Sequence, residues 1–192
     1  LETVNIPDSV TSIGWYAFSQ SGLETVSIPD SVTTIGDQAF LQCTSLGTVN
    51  IGNKVTSIGD EAFSKCTNIA TLILDTPLLG LTRDFVATYF GDSKIKIKSV
   101  TVGDSVTAIG SKAFESCTSL STLSIGNNVT SIGYRMFRLC TSLKTVSIPN
   151  SVTSIGIWVF SSCSSLETVS IPHSVKSISK GSFAYCSSLE TV

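Results

Sequence analysis

The stretch Leu23-Glu-Thr-Val-Ser-Ile-Pro-Asp-Ser-Val-Thr-Thr-Ile-Gly-Asp-Gln-Ala-Phe-Leu-Gln-Cys-Thr-Ser45 decides the architecture, because Leu46 begins the same sentence again. A unit of 23 residues is too short to bury an apolar face alone, so copies must stack and share one continuous core. Units start at Leu1, Leu23, Leu46, Ile69, Ile97, Leu120, Leu143 and Leu166, with a stub at Leu189. Their lengths are 22, 23, 23, 28, 23, 23, 23 and 23 residues, so only the unit at 69–96 departs strongly. The expectation is a single repeat domain over 1–192 whose length counts rungs. The chain opens and closes on Leu-Glu-Thr-Val without a polar capping segment, which suggests a piece of a longer array, able to self-associate end to end.

Within a unit, apolar residues fall at positions 1, 4 and 6, as in Leu143, Val146 and Ile148, and the alternation of 4 and 6 predicts a strand. Pro29, Pro149 or Gly52 stops it, and an Asx residue such as Asp30 suits a side chain that bonds its own turn. A second β-branched segment follows, Val-Thr-Ser-Ile-Gly at 55–59, whose glycine frees the backbone for a corner. A short helical turn is then expected to carry Phe18, Phe40, Phe63, Phe114, Phe137, Phe160 and Phe183 on one face with the residue three places on.

That residue is Ser21 in the first unit and otherwise Cys43, Cys66, Cys117, Cys140, Cys163 or Cys186. Parallel side chains in a column rarely reach disulfide geometry, so the six are expected to be buried free thiols. With His173 the only histidine and no Cys-x-x-Cys pair, no metal site is expected. Nucleophilic catalysis lacks a positioned base, and Asp37, Asp60 and Glu61 are read as acids at helix starts. No Gly-rich phosphate loop appears and no cofactor is expected. Twelve basic and fourteen acidic side chains are scattered without a long run, which argues against nucleic acid as a partner. No stretch of about 18 apolar residues occurs, so no direct membrane insertion is expected. Asn128-Val-Thr130 fits a glycosylation sequon but is the local version of Ser-Val-Thr.

The phrase Ile-Pro-Asp-Ser-Val-Thr-Ser-Ile-Gly, followed by Ala-Phe, two residues and Cys-Thr-Ser-Leu, resembles the BspA-like leucine-rich repeats of bacterial and protist surface proteins. The resemblance covers essentially the whole chain. It implies a curved, right-handed leucine-rich repeat solenoid with a parallel β-sheet on its concave face, short second strands and short helical turns on the other sides. It also implies an extracellular or cell-surface location and a noncatalytic adhesion role toward a protein or glycan. The buried Asn or Cys of ordinary leucine-rich repeats is replaced by Ser9, Ser31, Ser105, Ser151 or Ser174, so the turn must be held differently. A structural segment of a longer stalk or filament is the alternative role.

Two candidate surfaces follow. The first is the outward face of the first strands, with Thr25, Thr48, Thr71, Thr122, Thr145 and Thr168 in one column. A second column holds Ser27, Asn50, Thr101, Ser124, Ser147 and Ser170, with Glu24, Lys98, Lys144 and Glu167 at the edge. The second surface is the irregular unit, where Leu78, Leu79, Arg83, Phe85 and Tyr89 are concentrated. There Thr82 is expected to cap a helix reaching Phe90, with Gly91 as its stop, while Leu81, Phe85 and Phe90 are also able to repack the core.

Overall fold

The structure, a computed structural model, describes residues 2–192, the side chains of Leu81, Asp92 and Ser93 apart; the first repeat start, Leu1, and the core role considered for Leu81 therefore lie outside the described residues. The repeat reads directly as strand register. Val26 pairs with Val49, Val49 with Leu72, Leu72 with Val100 and Val100 with Leu123, all in parallel. The strands Thr25–Ile28, Thr48–Ile51, Thr71–Leu74, Ser99–Val102 and Thr122–Ser124 form this sheet, and Thr145–Ser147 pairs with Thr168–Ser170 beyond it. Because side chains alternate along a strand, Val26 and Ile28 enter the core while Thr25 and Ser27 face outward. Two-residue strands stack on another side, Ser12–Ile13, Thr34–Ile35 and Ser57–Ile58 before the irregular rung, and Ala108–Ile109, Ser131–Ile132, Ser154–Ile155 and Ser177–Ile178 after it. The chain is thus a leucine-rich repeat solenoid of parallel strands with few helices.

Each turn after the first strand is closed by the backbone: the Val32 N–H donates to the Pro29 carbonyl and the Val55 N–H to the Gly52 carbonyl. The Asx side chains do a different job from the expected one. Asp30 accepts the Asn53 N–H at 2.9 Å and Asp104 accepts the Asn127 N–H at 2.7 Å, so the carboxylate ties its turn to the next rung. The serine of the same turn also works between rungs. Ser174 donates to the Val152 carbonyl at 2.8 Å, and in the irregular rung Thr76 donates to Val55 at 2.7 Å.

The expected helical turn before each cysteine is absent from the regular rungs, where the chain reverses through consecutive β-turns. Gln38 (φ 54) and Gln42 (φ 58) are left-handed, and Glu61 with Lys65, Lys112 with Ser116 and Trp158 with Ser162 repeat the pattern. A non-glycine residue in that region costs about 1–2 kcal/mol. The offsetting gain is a ladder between rungs: Gln38, Phe40 and Gln42 N–H donate to the Asp60, Ala62 and Ser64 carbonyls. The glycine ending the second strand is likewise corrected, since its φ is not positive. A Cβ on Gly156 would lie 2.8 Å from the Ile132 carbonyl oxygen, and one on Gly36 2.8 Å from Gly14. Close packing of one rung's backbone on the next excludes a side chain at these two positions, while Gly14 and Gly133 have room for one.

Inside, the phenylalanines lie in file. Phe18, Phe40, Phe63 and Phe90 stack at 5.2, 4.9 and 4.8 Å, and Phe114, Phe137, Phe160 and Phe183 at 5.4, 5.5 and 5.5 Å. These distances match the roughly 5 Å between hydrogen-bonded strands, so the rung spacing itself sets the ring stack. The six cysteines form no disulfide bonds. Cys66, Cys140, Cys163 and Cys186 each donate to the carbonyl of the phenylalanine in the preceding rung, at 3.0, 3.3, 3.2 and 3.1 Å.

The irregular rung doubles one rung position. Tyr89 and Phe90 serve the rung before, the Phe63 N–H donating to Tyr89 and the Phe63 ring stacking on Phe90. Val86, four residues earlier, serves the rung after by donating to the Ala113 carbonyl. One helical turn, within Phe85–Phe90, separates the two levels, which accounts for the extra length. Its N-cap is left-handed Asp84 and Gly91 (φ 53) ends it; Thr82, expected as the N-cap, instead ends a short helix at Leu78–Leu81.

Candidate functional site

The first-strand face brings the predicted hydroxyl columns together. Thr25, Thr48, Thr71, Ser99 and Thr122 are consecutive partners, as are Ser27, Asn50, Ile73, Thr101 and Ser124, and Thr145 and Ser147 pair with Thr168 and Ser170. Asn50 donates to the Ser27 hydroxyl at 3.1 Å. The columns are exposed at both ends and half-buried at Thr48, Asn50, Thr71 and Thr101. Ile73 is an apolar point among them. At the edge, Glu24 and Lys98 are exposed, and the Lys144 ammonium stands 3.7 Å from Glu167 with both side chains at least half exposed. A pair that wet contributes little to stability, and its charges stay accessible to a partner.

The irregular rung contributes less surface than its composition suggests. Leu79 and Phe85 are fully buried and Leu78 nearly so, which corrects their assignment as contact residues: the doubled rung needs them to fill its own core. Tyr89 is half-buried, its ring edge-on to Phe85 at 5.2 Å. Arg83 alone of the five stays fully at the surface, beside Asp84 at 3.7 Å.

A third surface was passed over in the sequence, because its residues differ from rung to rung. The Tyr16 N–H donates to Asp37, Gln38 to Asp60, Lys112 to Tyr134, Arg135 to Ile157 and Trp158 to Lys180, so this pair of positions forms a file along the turn side. Trp15 and Tyr16 are strongly exposed, at 73% and 57%. They line an open groove with Asp37, Gln38, Asp60 and Glu61. Asp37 and Asp60, read as helix starts, begin no helix: Asp37 accepts the Asp60 N–H at 3.1 Å, and Gln38 donates to Glu61 at 2.6 Å. Later rungs carry Arg135 over the Tyr134 ring at 4.8 Å, exposed Ile157, Trp158 against Gly181, and exposed Lys180. Comparing repeats position by position exposes this signal, since it is where they disagree most.

The thiols offer no reactive centre along the second half of the array. Burial pushes Cys117 and Cys163 up to about 12 and Cys140 and Cys186 upward, so they stay protonated at neutral pH. Cys66 is also raised, by its hydrogen bond to Cys43 and by burial. Among the described residues no group of three or more His, Cys, Asp or Glu side chains is placed to hold a metal ion, and no helix is long and apolar enough to cross a membrane.

Known proteins place this geometry in context. The pattern of the BspA type leucine rich repeat region matches residues 1–80 and 83–192 in six copies. A leucine-rich cell surface protein from Faecalibacterium prausnitzii is 32% identical, with a TM-score of 0.53 over 100% of this chain and 59% of that one. A leucine-rich repeat protein from Eubacterium ventriosum is 26% identical, with a TM-score of 0.62 over 81% of this chain and 41% of that one. The leucine-rich repeat protein of T. pallidum is 26% identical, with a TM-score of 0.56 over 98% and 78% of the two chains. The chain therefore spans about three-fifths of the Faecalibacterium protein's length. No curated protein matches. With the six-copy pattern covering nearly every residue, the chain belongs to the BspA-type leucine-rich repeat family.

Proposed function

We propose that this chain is a noncatalytic recognition or adhesion module acting outside the cell, which binds a protein or glycan through its first-strand face. The observation that carries this reading is the in-register pair of files on this face, hydroxyls unbroken from Thr25 through Thr48, Thr71 and Ser99 to Thr122, and hydroxyl and amide groups from Ser27 through Asn50 and Thr101 to Ser124, interrupted by Ile73. Such a file supplies donors and acceptors at the strand spacing, roughly every 5 Å, which suits a partner that is itself extended. Individual contacts of this kind are weak, and affinity comes from many made together on a surface already ordered by the core. The charges of Lys144 and Glu167 add register along the face. The surface location draws on the Faecalibacterium relative, which is described as a cell surface protein.

The test is a binding panel of extracellular matrix proteins and cell-wall glycans against the immobilised chain. A partner found there should lose at least about tenfold in affinity when Asn50 and Thr101 are both replaced by Arg, whose bulk blocks the face. Circular dichroism checks that the fold is kept. Unchanged affinity in the double variant, or no binding across the panel, removes the sheet-face reading.

A further inference from the structure

The turn-side file divides its charge along the molecule. Its early rungs display Asp37, Asp60 and Glu61 against Lys65, the irregular rung carries Arg83 beside Asp84, and the later rungs display Lys112, Arg135, Arg138 and Lys180 against Glu115. Glu115 is engaged by Arg138 at 2.9 Å and Lys112 at 3.6 Å. Among the described residues, Asp37, Asp60, Glu61, Arg135 and Lys180 belong to no ion pair within 4.0 Å. Asp37 and Asp60 occupy the same position of consecutive rungs, and like charges in neighbouring rungs repel. Large apolar side chains accompany both halves: exposed Trp15 and Tyr16 beside the acids, exposed Ile157 and half-buried Trp158 beside the bases. The Arg135 Nε is buried without a hydrogen-bond partner.

We propose that this face is the interface of a two-fold dimer, in which a second copy of this chain runs antiparallel and lays its basic rungs on the acidic groove. A two-fold axis through the irregular rung reverses the rung order in the second copy. Lys180 then faces Trp15 and Tyr16, where an ammonium gains cation–π contact. Arg135 comes opposite Asp60 and Glu61. Trp158 and Ile157 cover the stretch at Asp37 and Gln38. A two-fold contact is self-complementary, so every one of these pairings is made twice. The charge division along one file supports a second copy over an unrelated basic protein, because the same chain carries both the groove and the ridge that fits it. The surface is largely polar, so the affinity is modest and falls with salt.

Sedimentation velocity across a wide concentration range, at low and at about half-molar salt, reads this out. The expected result is a monomer–dimer equilibrium that weakens at high salt. Arg135→Glu and the double change Asp60→Lys with Glu61→Lys should each weaken the dimer at least about tenfold. An equimolar mixture of the two variants, or both sets of changes in one chain, should restore it, a rescue that misfolding does not give. A chain that is monomeric throughout overturns the proposal, as does one that grows past two copies, or a dimer indifferent to these charges. A monomer that instead captures a lysine- and arginine-rich peptide through Asp60 and Glu61 also overturns it.

Discussion

Cys163 shows how a rung sets the chemistry of one side chain. Its thiol donates to the Phe137 carbonyl and is buried, and burial holds it at about 12 against an ordinary 9.0. Below pH 9 the thiol is protonated in both folded and unfolded chains, and its contribution is fully present. As pH rises from 9 the unfolded chain releases its proton first, so that contribution declines and is lost through about 12. At pH 11 the deficit is roughly 2–3 kcal/mol for this thiol. Urea unfolding followed at pH 8 and 11 should show a smaller fall in stability for Cys163→Ser than for the parent, because the serine hydroxyl takes the same bond without ionising. Equal falls would mean that the buried thiol contributes nothing to the pH dependence. The column of cysteines and the lack of disulfides between them were legible in the sequence, from a shared position and from parallel side-chain directions. Their carbonyl partners were not, because each bond joins residues 26 apart for Cys140, Cys163 and Cys186.

At the scale of the rung, the glycine ending the second strand separates two explanations of one sequence feature. Gly156 sits where an added Cβ meets Ile132 oxygen at 2.8 Å and Gly133 carbon at 3.1 Å, both backbone atoms that cannot swing aside. Gly133, at the same rung position, has its nearest neighbour at 3.5 Å. Gly156→Ala should therefore cost about 1–3 kcal/mol as overpacking, while Gly133→Ala should be near neutral. Urea or thermal unfolding of the two variants checks this, and equal costs would return the glycine to a purely conformational role. Sequence periodicity located strands, turns and core columns at this scale. It misread the reversal before each cysteine as helical, since Phe and Cys three apart suit a helix face and a chain of β-turns alike. What selected the turns was the ladder to the next rung, from Phe40 to Ala62 and Gln42 to Ser64.

Across the whole molecule the stacking is not uniform. The first-strand sheet parts between Thr122–Ser124 and Thr145–Ser147, and Leu123 and Ile125, core positions in other rungs, are only half-buried there. The turn side stays joined at this level, with Arg135, Phe137 and Leu139 donating to the following rung. Local opening should begin at this seam, because the first-strand ladder that ties the other rungs is missing there. Hydrogen exchange is expected to be at least about tenfold faster at the Lys144 and Thr145 amides than at Glu167 and Thr168, which donate to the Lys144 carbonyl. Equal protection would show that the sheet is continuous in solution. The period of the chain determined by itself that rungs stack, which residues enter the core and which hydroxyls share a face, because those features recur locally in every unit. Only the tertiary structure decided what each rung meets in its neighbour: the glycine contacts, the carboxylates reaching the next turn, the burial of Leu79 and Phe85, and the charged turn-side file. Those outcomes depend on groups more than twenty residues apart brought to within about 5 Å by stacking, a proximity that no local pattern encodes.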